Sequence, residues 1–227
     1  NTIDYAVKVI ETIYNTKSKN GSIRRVNVNI AATSVENYQK LKKAGIGTYQ
    51  LFQETYHQET YELLHRGPKA DFQRQLFAHD KAFKAGIDDV GLGVLFGLYN
   101  YRFEVLGLLA HAKYLEKKFG VGPHTISVPR LQPADTVTLK SKYRVREKDL
   151  LCIIAILRLA VPYTGMIIST RERSKIRAKA FKIGISQTSA ASRTSPGGYG
   201  KEQRLEQFHT NDHRSVSEFI QSILKQN

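Results

Sequence analysis

The alternation of β-rich runs and amphipathic helical runs is the feature that most constrains how this chain folds. Short runs rich in β-branched and aromatic residues alternate with helical stretches of about 10 to 20 residues, a pattern typical of βα units on a parallel sheet. The predicted strands are residues 26–32, 48–55, 89–96, 125–130, 165–170 and 185–190. The predicted helices are residues 3–14, 34–44, 71–85, 101–119 and 147–161, and another helix closes the chain.

Six predicted strands indicate an α/β fold, and we favour an incomplete (β/α)8 TIM-type barrel of about six parallel strands with outer helices. The opening helix has no strand before it and the chain does not begin with Met, so we expect an N-terminal portion beyond this sequence. Residues 1–227 would then form strands three to eight of a barrel, with a Ser/Gly-rich loop at 186–200 and a closing helix. The alternative is an open, doubly wound six-stranded sheet.

Ligands bind at the carboxyl ends of the strands in both architectures, and polar or glycine residues follow all six predicted strands. Arg130 and Arg171 end two of them, and a planar guanidinium suits a carboxylate or phosphate. Glu54 can accept from ribose hydroxyls or an amine, or form a salt bridge. One such residue alone is often a cap, and glycines also serve close strand packing. The remaining strand ends carry Asn29, Gly91, Gly93, Gly97, Ser127, Ser169, Ser189 and Ser192.

The charge of the chain raises a rival hypothesis. Lys and Arg number 35 against 20 Asp and Glu, a formal net charge of +15 that attracts anions, nucleic acid included. Because the basic clusters at 140–148 and 171–182 fall mostly on predicted helices and loops, a solvated basic face explains them, and we expect no nucleic-acid partner. The longest apolar runs, residues 90–98 and 150–157, are shorter than the roughly 18 residues that span a bilayer. We therefore expect a cytoplasmic protein without membrane contact.

The single cysteine limits the metal chemistry of the chain. Cys152 alone cannot form an intrachain disulfide, a CxxC zinc site or an iron–sulfur cluster held by three thiolates. It stands in an apolar helical run, where a buried and inert thiol is expected. The seven histidines never form an HExxH pair, which argues against a zinc hydrolase. Of these histidines, only His124 precedes a predicted strand within a distinctive motif.

Five motifs stand in fixed order along nearly the whole chain. They are QETYH at 53–57, GIDDVGLGVLFGL at 86–98, GVGPHTISVPRL at 120–131, ISTRE at 168–172, and SAAS at 189–192 with GGY at 197–199. Together they resemble the motifs of the radical SAM tyrosine lyases. GIDDV and GPHTISVPR are more similar to the FeFe-hydrogenase maturase branch than to the branch of thiamine thiazole synthesis, which is the alternative.

The resemblance implies a barrel that binds S-adenosylmethionine (SAM) on a 4Fe-4S cluster and generates a 5′-deoxyadenosyl radical. That radical breaks the Cα–Cβ bond of tyrosine to give p-cresol and dehydroglycine, from which the maturase makes CO and cyanide on a second iron–sulfur cluster. The family's CxxxCxxC motif and its cysteine-bearing C-terminal extension have no counterpart in this chain. The resemblance therefore implies that the isolated chain is inactive, and that other hydrogenase maturation proteins are its partners.

The resemblance also assigns candidate residues by motif position. For SAM, Glu54 is expected at the ribose or amino group, Arg74 at the methionyl carboxylate, and Val90 and Gly91 at the adenine. For tyrosine, the candidates for the carboxylate clamp are Ser127, Arg130 and Ser169, with Arg171 as second choice. His124 is a candidate near the second cluster.

Overall fold

A parallel sheet forms the centre of the structure. The computed structural model describes residues 2–133, 139, 141–195, 198–199 and 208–225. Five strands lie in the order in which they occur along the chain, and every neighbouring pair is parallel. After a small antiparallel hairpin, β1 (Lys17–Ser18) and β2 (Gly21–Ser22), the sheet strands are β3 (Tyr49–Gln50), β4 (Val90–Gly93), β5 (Thr125–Ser127), β6 (Gly165–Ile168) and β7 (Gln187–Thr188).

The predicted α/β architecture with outer helices is confirmed, with one difference in the sheet. The run predicted at 26–32 forms no strand; Val28 makes a single parallel bridge to Tyr49 of β3. Its amide donates to the Thr48 carbonyl at 2.9 Å, and its carbonyl accepts from the Gln50 amide at 2.8 Å. The Val26 carbonyl also accepts from the Gly47 amide at 2.8 Å, so the sixth position of the sheet is occupied but short.

Helices cover one side of the sheet. They are α1 (Ile3–Asn15), α2 (Val35–Lys43), α3 (Gln58–Leu64), α4 (Phe72–Leu76), α5 (Ala78–Lys84), α6 (Tyr101–Phe119), α7 (Glu147–Ala160), α8 (Ser174–Ile183) and α9 (Val216–Leu224), with a 3-10 helix at Gly67–Ala70. Gly120, at φ +74°, ends α6 where predicted, because glycine adopts the left-handed conformation without strain. The helix predicted at 71–85 is divided at Phe77, and α3 and α8 were not predicted. None of the helices in the described ranges is long and apolar enough to cross a membrane.

The two faces of the sheet differ in composition. The side chains under the helices are apolar and buried, namely Tyr49, Leu51, Val90, Leu92, Val94, Ile126, Val128, Met166 and Ile168. The alternate positions form the inner face and are mostly small or polar: Gln50, Phe52, Gly91, Gly93, Thr125, Ser127, Gly165, Ile167 and Gln187. Because successive side chains of a strand point to opposite faces, one set of strands provides both a core and a small, polar inner surface.

A buried arginine fastens the C-terminal segment to the sheet. The guanidinium of Arg177 in α8 pairs with Asp212 and donates to the Thr188 hydroxyl and the Ser189 carbonyl. Arg214 also holds Asp212, at 2.6 Å. These contacts place residues 208–212 beside the ends of β6 and β7. Arg177 belongs to the basic cluster at 171–182. The prediction that this cluster forms a solvated face is therefore wrong for Arg177, which is buried.

The structure corrects the prediction for Cys152, which is exposed on α7 instead of buried. The helix is apolar around much of its circumference, and its core-facing side consists of Leu150, Ile153, Ile154 and Leu157. Cys152 lies outside that set.

Candidate functional site

The carboxyl ends of the strands converge at one edge of the sheet. Glu54 makes a parallel bridge to Val94 beyond β4, and Phe96 makes one to Arg130 beyond β5. Arg130 then contacts Glu172, which follows β6. The strand ends that carry Glu54, Arg130 and Arg171 are thus neighbours, as expected for parallel strands.

Glu54 ends its run in a strained turn. Its φ is +67°, and the amide of Thr55 donates to the carbonyl of Gln53 at 2.9 Å across it. This is the rare positive-φ form of the γ-turn, which residues other than glycine adopt at a cost in conformational energy. The Glu54 carboxylate accepts from the Lys69 ammonium at 2.7 Å. The two residues line a cavity of about 180 Å³ together with Asn29, Ile30, Ala31, Leu51, Phe52 and Gln75.

Arg130 is committed to an ion pair inside the protein. Its Nε donates to Glu172 Oε1 at 2.7 Å, its Nη2 pairs with the second carboxylate oxygen, and its Nη1 donates to the Val145 carbonyl at 2.8 Å. Glu172 is almost fully buried. A bidentate pair of this kind uses the guanidinium edge that a substrate carboxylate would need. The geometry therefore does not favour Arg130 as the clamp.

Arg171 is the uncommitted arginine of this edge. Its guanidinium lies 3.4 Å from the centroid of the Phe208 ring, and it has no hydrogen-bond partner among the described residues. Burial lowers the pKa of Arg171 to about 10, while the negative charges of Glu54 and Glu172 oppose that shift. Both carboxylates are therefore close enough for their charges to act on it. An arginine stacked on one face keeps its N–H edge available for a planar anion.

The serines of the predicted clamp lie on neighbouring strands. Ser127 aligns with Gly93 and Ile167 on the inner face and is buried. Ser169 follows β6, and its hydroxyl accepts from the Arg171 amide at 3.4 Å. Ser169 therefore stands beside Arg171, and Ser127 lies one strand away.

Val90 and Gly91 occupy opposite faces of β4. Val90 begins β4 at the amino end of the strand and is fully buried under the helices, and its carbonyl accepts from the His124 amide. Val90 therefore lies away from the carboxyl edge. Gly91 lies on the inner face, where an added Cβ would stand 2.5 Å from Thr125 Oγ1 and 2.8 Å from Gln50 Cγ. Glycine is required there because those two side chains hydrogen-bond to each other across it at 3.2 Å.

Two further predicted residues lie apart from this cluster. Arg74 donates to the Ala32 carbonyl at 2.6 Å and lines a neighbouring groove of about 760 Å³ between α1 and the 26–33 segment. His124 lies at the amino end of β5, where its amide donates to the Val90 carbonyl at 2.9 Å. The structure does not bring His124 to the carboxyl edge, and the described ranges contain no group of three or more His, Cys, Asp or Glu that could hold a metal ion.

The sequence did not point to Lys69, Glu172 and Phe208, which contact Glu54, Arg130 and Arg171. Nor did it point to Glu104, which accepts from the Thr55 hydroxyl and the Tyr56 amide next to Glu54. Only Glu104 and Glu172 carried a usable signal. Glu172 completes the ISTRE motif next to Arg171. Glu104 is an acid on the buried face of α6, with Val105 and Leu108. Lys69 and Phe208 reach the site from segments without a motif.

Comparisons with known proteins show which proteins this chain and its fold are similar to. Residues 127–227 match the model of the Biotin and Thiamin Synthesis associated domain. The chain is similar to the crystal structure of HydG, a maturase of the FeFe-hydrogenase, with 60% identity over 99% of this chain and 50% of that one, and a TM-score of 0.96. The X-ray structure of HydG from Carboxydothermus hydrogenoformans gives 46% identity over 99% and 52% of the chains, with a TM-score of 0.89.

A curated relative supports the same grouping. The 2-iminoacetate synthase of Salmonella typhimurium is 37% identical over 184 residues, which are 80% of this chain and 48% of the relative. The chain thus spans about half the length of the relatives that it matches. Motifs, fold and comparisons agree, and the chain belongs to the radical SAM tyrosine lyase family.

Proposed function

We propose that this chain forms the tyrosine- and SAM-binding part of a radical SAM lyase that cleaves the Cα–Cβ bond of tyrosine to p-cresol and dehydroglycine. The proposed context is FeFe-hydrogenase maturation in the cytoplasm, with CO and cyanide as later products and other maturation proteins as partners. The 60% identity to HydG favours this context over thiamine thiazole synthesis, since the 2-iminoacetate synthase is 37% identical.

The environment of the Arg171 guanidinium is the observation that supports the tyrosine assignment. The partly buried guanidinium lacks a hydrogen-bond partner among the described residues and lies at the carboxyl edge of the sheet. A partly desolvated cation without a hydrogen-bond acceptor is costly, and a substrate carboxylate would supply that acceptor. In this proposal Arg171 replaces Arg130 as the principal clamp, with Ser169 and Ser127 beside it. Fixing the carboxylate fixes the position of the Cα–Cβ bond relative to the radical source.

The residues at Glu54 suit the polar groups of SAM. The Glu54 carboxylate accepts an ammonium hydrogen bond from Lys69, so it can accept equally from an amino group or ribose hydroxyls. Binding there would require Lys69 to give up that contact. The 180 Å³ cavity adjoins Glu54, and the backbone of Val90 and Gly91 is proposed to face the adenine. Arg74 is proposed to meet the methionyl carboxylate from the adjoining groove.

The residues of this chain do not suit an iron–sulfur cluster. Its one cysteine is exposed on α7, outside the inner face of the sheet. When bound, the cluster of the family supplies the electron that cleaves SAM, and its ligands are proposed to lie outside this chain. His124 as a ligand of a second cluster stays a prediction, and its place at the amino end of β5 gives it no support.

Substitution of Arg171 tests the function. In the protein expressed from its complete gene, Arg171→Ala should weaken tyrosine binding at least about tenfold, since a charge-assisted hydrogen bond is lost. Arg173→Ala is the matched control, because Arg173 is exposed two residues away. Calorimetric titration with tyrosine and assay of p-cresol would measure both. Equal tyrosine affinity in the two variants would contradict the clamp, and absence of p-cresol from the wild type would contradict the reaction.

A further inference from the structure

The turn that carries Glu54 is held by an acid from a different element. Glu104, in the first turn of α6, accepts from the Thr55 hydroxyl and from the Tyr56 amide, the latter at 2.8 Å. The Thr55 hydroxyl accepts in turn from the His57 amide at 3.1 Å. Thr55 and Tyr56 therefore hydrogen-bond directly to the Glu104 carboxylate, and His57 is linked to it through the Thr55 hydroxyl.

Packing alone does not explain an acid at this position. Glu104 is fully buried and lies on the face of α6 that also buries Val105 and Leu108. It has no positively charged partner in the part of the chain that the structure describes. Burial raises the pKa of Glu104, while the hydrogen bonds from Thr55 and Tyr56 oppose this rise. An apolar side chain would avoid the cost of burying a carboxylate, so the two hydrogen bonds must serve a purpose.

That purpose follows from the conformation of Glu54. A positive φ at a residue other than glycine persists only where its surroundings enforce it. Here the β4 side holds the turn through the Leu95 amide, which donates to the Glu54 carbonyl at 2.9 Å. Glu104 holds the other side through Thr55 and Tyr56. Without Glu104 the turn can relax to negative φ, and this would turn the Glu54 carboxylate away from its present direction.

We propose that Glu104 is a positioning residue that aims the Glu54 carboxylate at bound SAM by holding the strained turn at 53–56. This inference rests on the proposed function, in which Glu54 contacts the ribose or amino group of SAM. Glutamine at position 104 keeps the shape of the side chain but offers one acceptor oxygen to two donors.

The test compares Glu104→Gln with Asp80→Asn in the protein expressed from its complete gene. Asp80 is also a buried acid, but it contacts Lys118 and Tyr114 and not the 53–57 turn. Calorimetric titration measures affinity for SAM, and hydrogen exchange measures protection of the 51–58 backbone. Glu104→Gln should weaken SAM binding about tenfold and speed exchange at Thr55 and Tyr56. Asp80→Asn should stay within about twofold of wild type in both SAM affinity and exchange rate. This difference between the variants should remain even if their melting temperatures are similar.

A double variant distinguishes positioning from general damage. If Glu104 acts through Glu54, Glu54→Gln with Glu104→Gln should bind SAM no more weakly than Glu54→Gln alone. Additive losses, or an equal loss in Asp80→Asn, would overturn the proposal. If the wild type binds no SAM, the proposed function fails, and the exchange comparison still decides whether Glu104 holds the turn. Unchanged exchange in Glu104→Gln would then overturn the positioning role.

Discussion

The inner and outer faces of the sheet use the same strands for opposite purposes. The outer face is fully buried under helices, as Val90, Leu92 and Val94 show. The inner face carries Gly91 and Gly93 on the same strand, and Thr125 and Ser127 on the next. Residues one position apart therefore lie in different environments. Sensitivity to substitution should therefore alternate along each strand, with stability affected on the outer face and ligand binding on the inner face.

The largest expected effect is a loss of stability on the outer face. Leu92→Ala should lower the free energy of unfolding by about 2–5 kcal/mol, because it leaves a cavity in a close-packed core. Ile167→Ala is the matched control on the inner face, where the side chain is partly exposed, and it should cost less than half as much. Urea unfolding measures both. Equal losses would break the distinction between the faces.

The next effect is a pH dependence that arises in the helix layer. Burial is the main cause that lowers the pKa of His79 to about 3 and that of His111 to about 4, from an ordinary value of 6.5. The unfolded chain therefore binds protons below pH 6.5 that the folded chain refuses, and stability falls as the pH drops from 6.5 towards 4. Each histidine should contribute up to about 1.4 kcal/mol per pH unit in that range.

Unfolding curves between pH 7 and 4 would measure this slope. His79→Gln should flatten it, whereas His124→Gln, a change at an exposed side chain, should leave it as it is. An unchanged slope in His79→Gln would show that burial in the helix layer does not keep the His79 imidazole neutral.

The smallest effect is expected on the inner face. Ser127→Ala should change the free energy of unfolding by less than about 1 kcal/mol and weaken tyrosine binding roughly fivefold, the size of one lost hydrogen bond. Ser22→Ala on the exposed hairpin serves as control for both measurements. A large loss of stability with normal tyrosine binding would assign Ser127 to the core instead.

Local sequence patterns predicted the features that depend on residues close to one another in sequence. The bounds of α6, the order of the strands and the placement of Glu54 and Arg171 at one edge follow from periodicity and strand direction. The distinction between Arg130 and Arg171 did not, since both end a strand. It depends on Glu172 and Phe208, which are 42 and 37 residues away from their partners in sequence.

Two predictions are wrong for a similar physical reason. The helix that carries Cys152 is apolar on several sides, so periodicity alone did not show which side faces the sheet. The run at 26–32 has the composition of a strand, but pairing depends on how its backbone meets the neighbouring strand, and only Val28 bridges to it. The site assignments by motif position stay predictions until the substitutions above are measured.

The contact between Arg171 and Phe208 has a consequence for when the protein becomes able to bind. During synthesis the N-terminal parts of a chain can fold first. Arg171 is made before Phe208 and Asp212, so its guanidinium can stay hydrated until the later segment docks through Arg177. In the proposed clamp, the guanidinium becomes a strong receptor for a carboxylate only after this docking has removed water from it. Tyrosine affinity should therefore arise late in synthesis, and nascent chains without this segment should leave the amino acid free in solution.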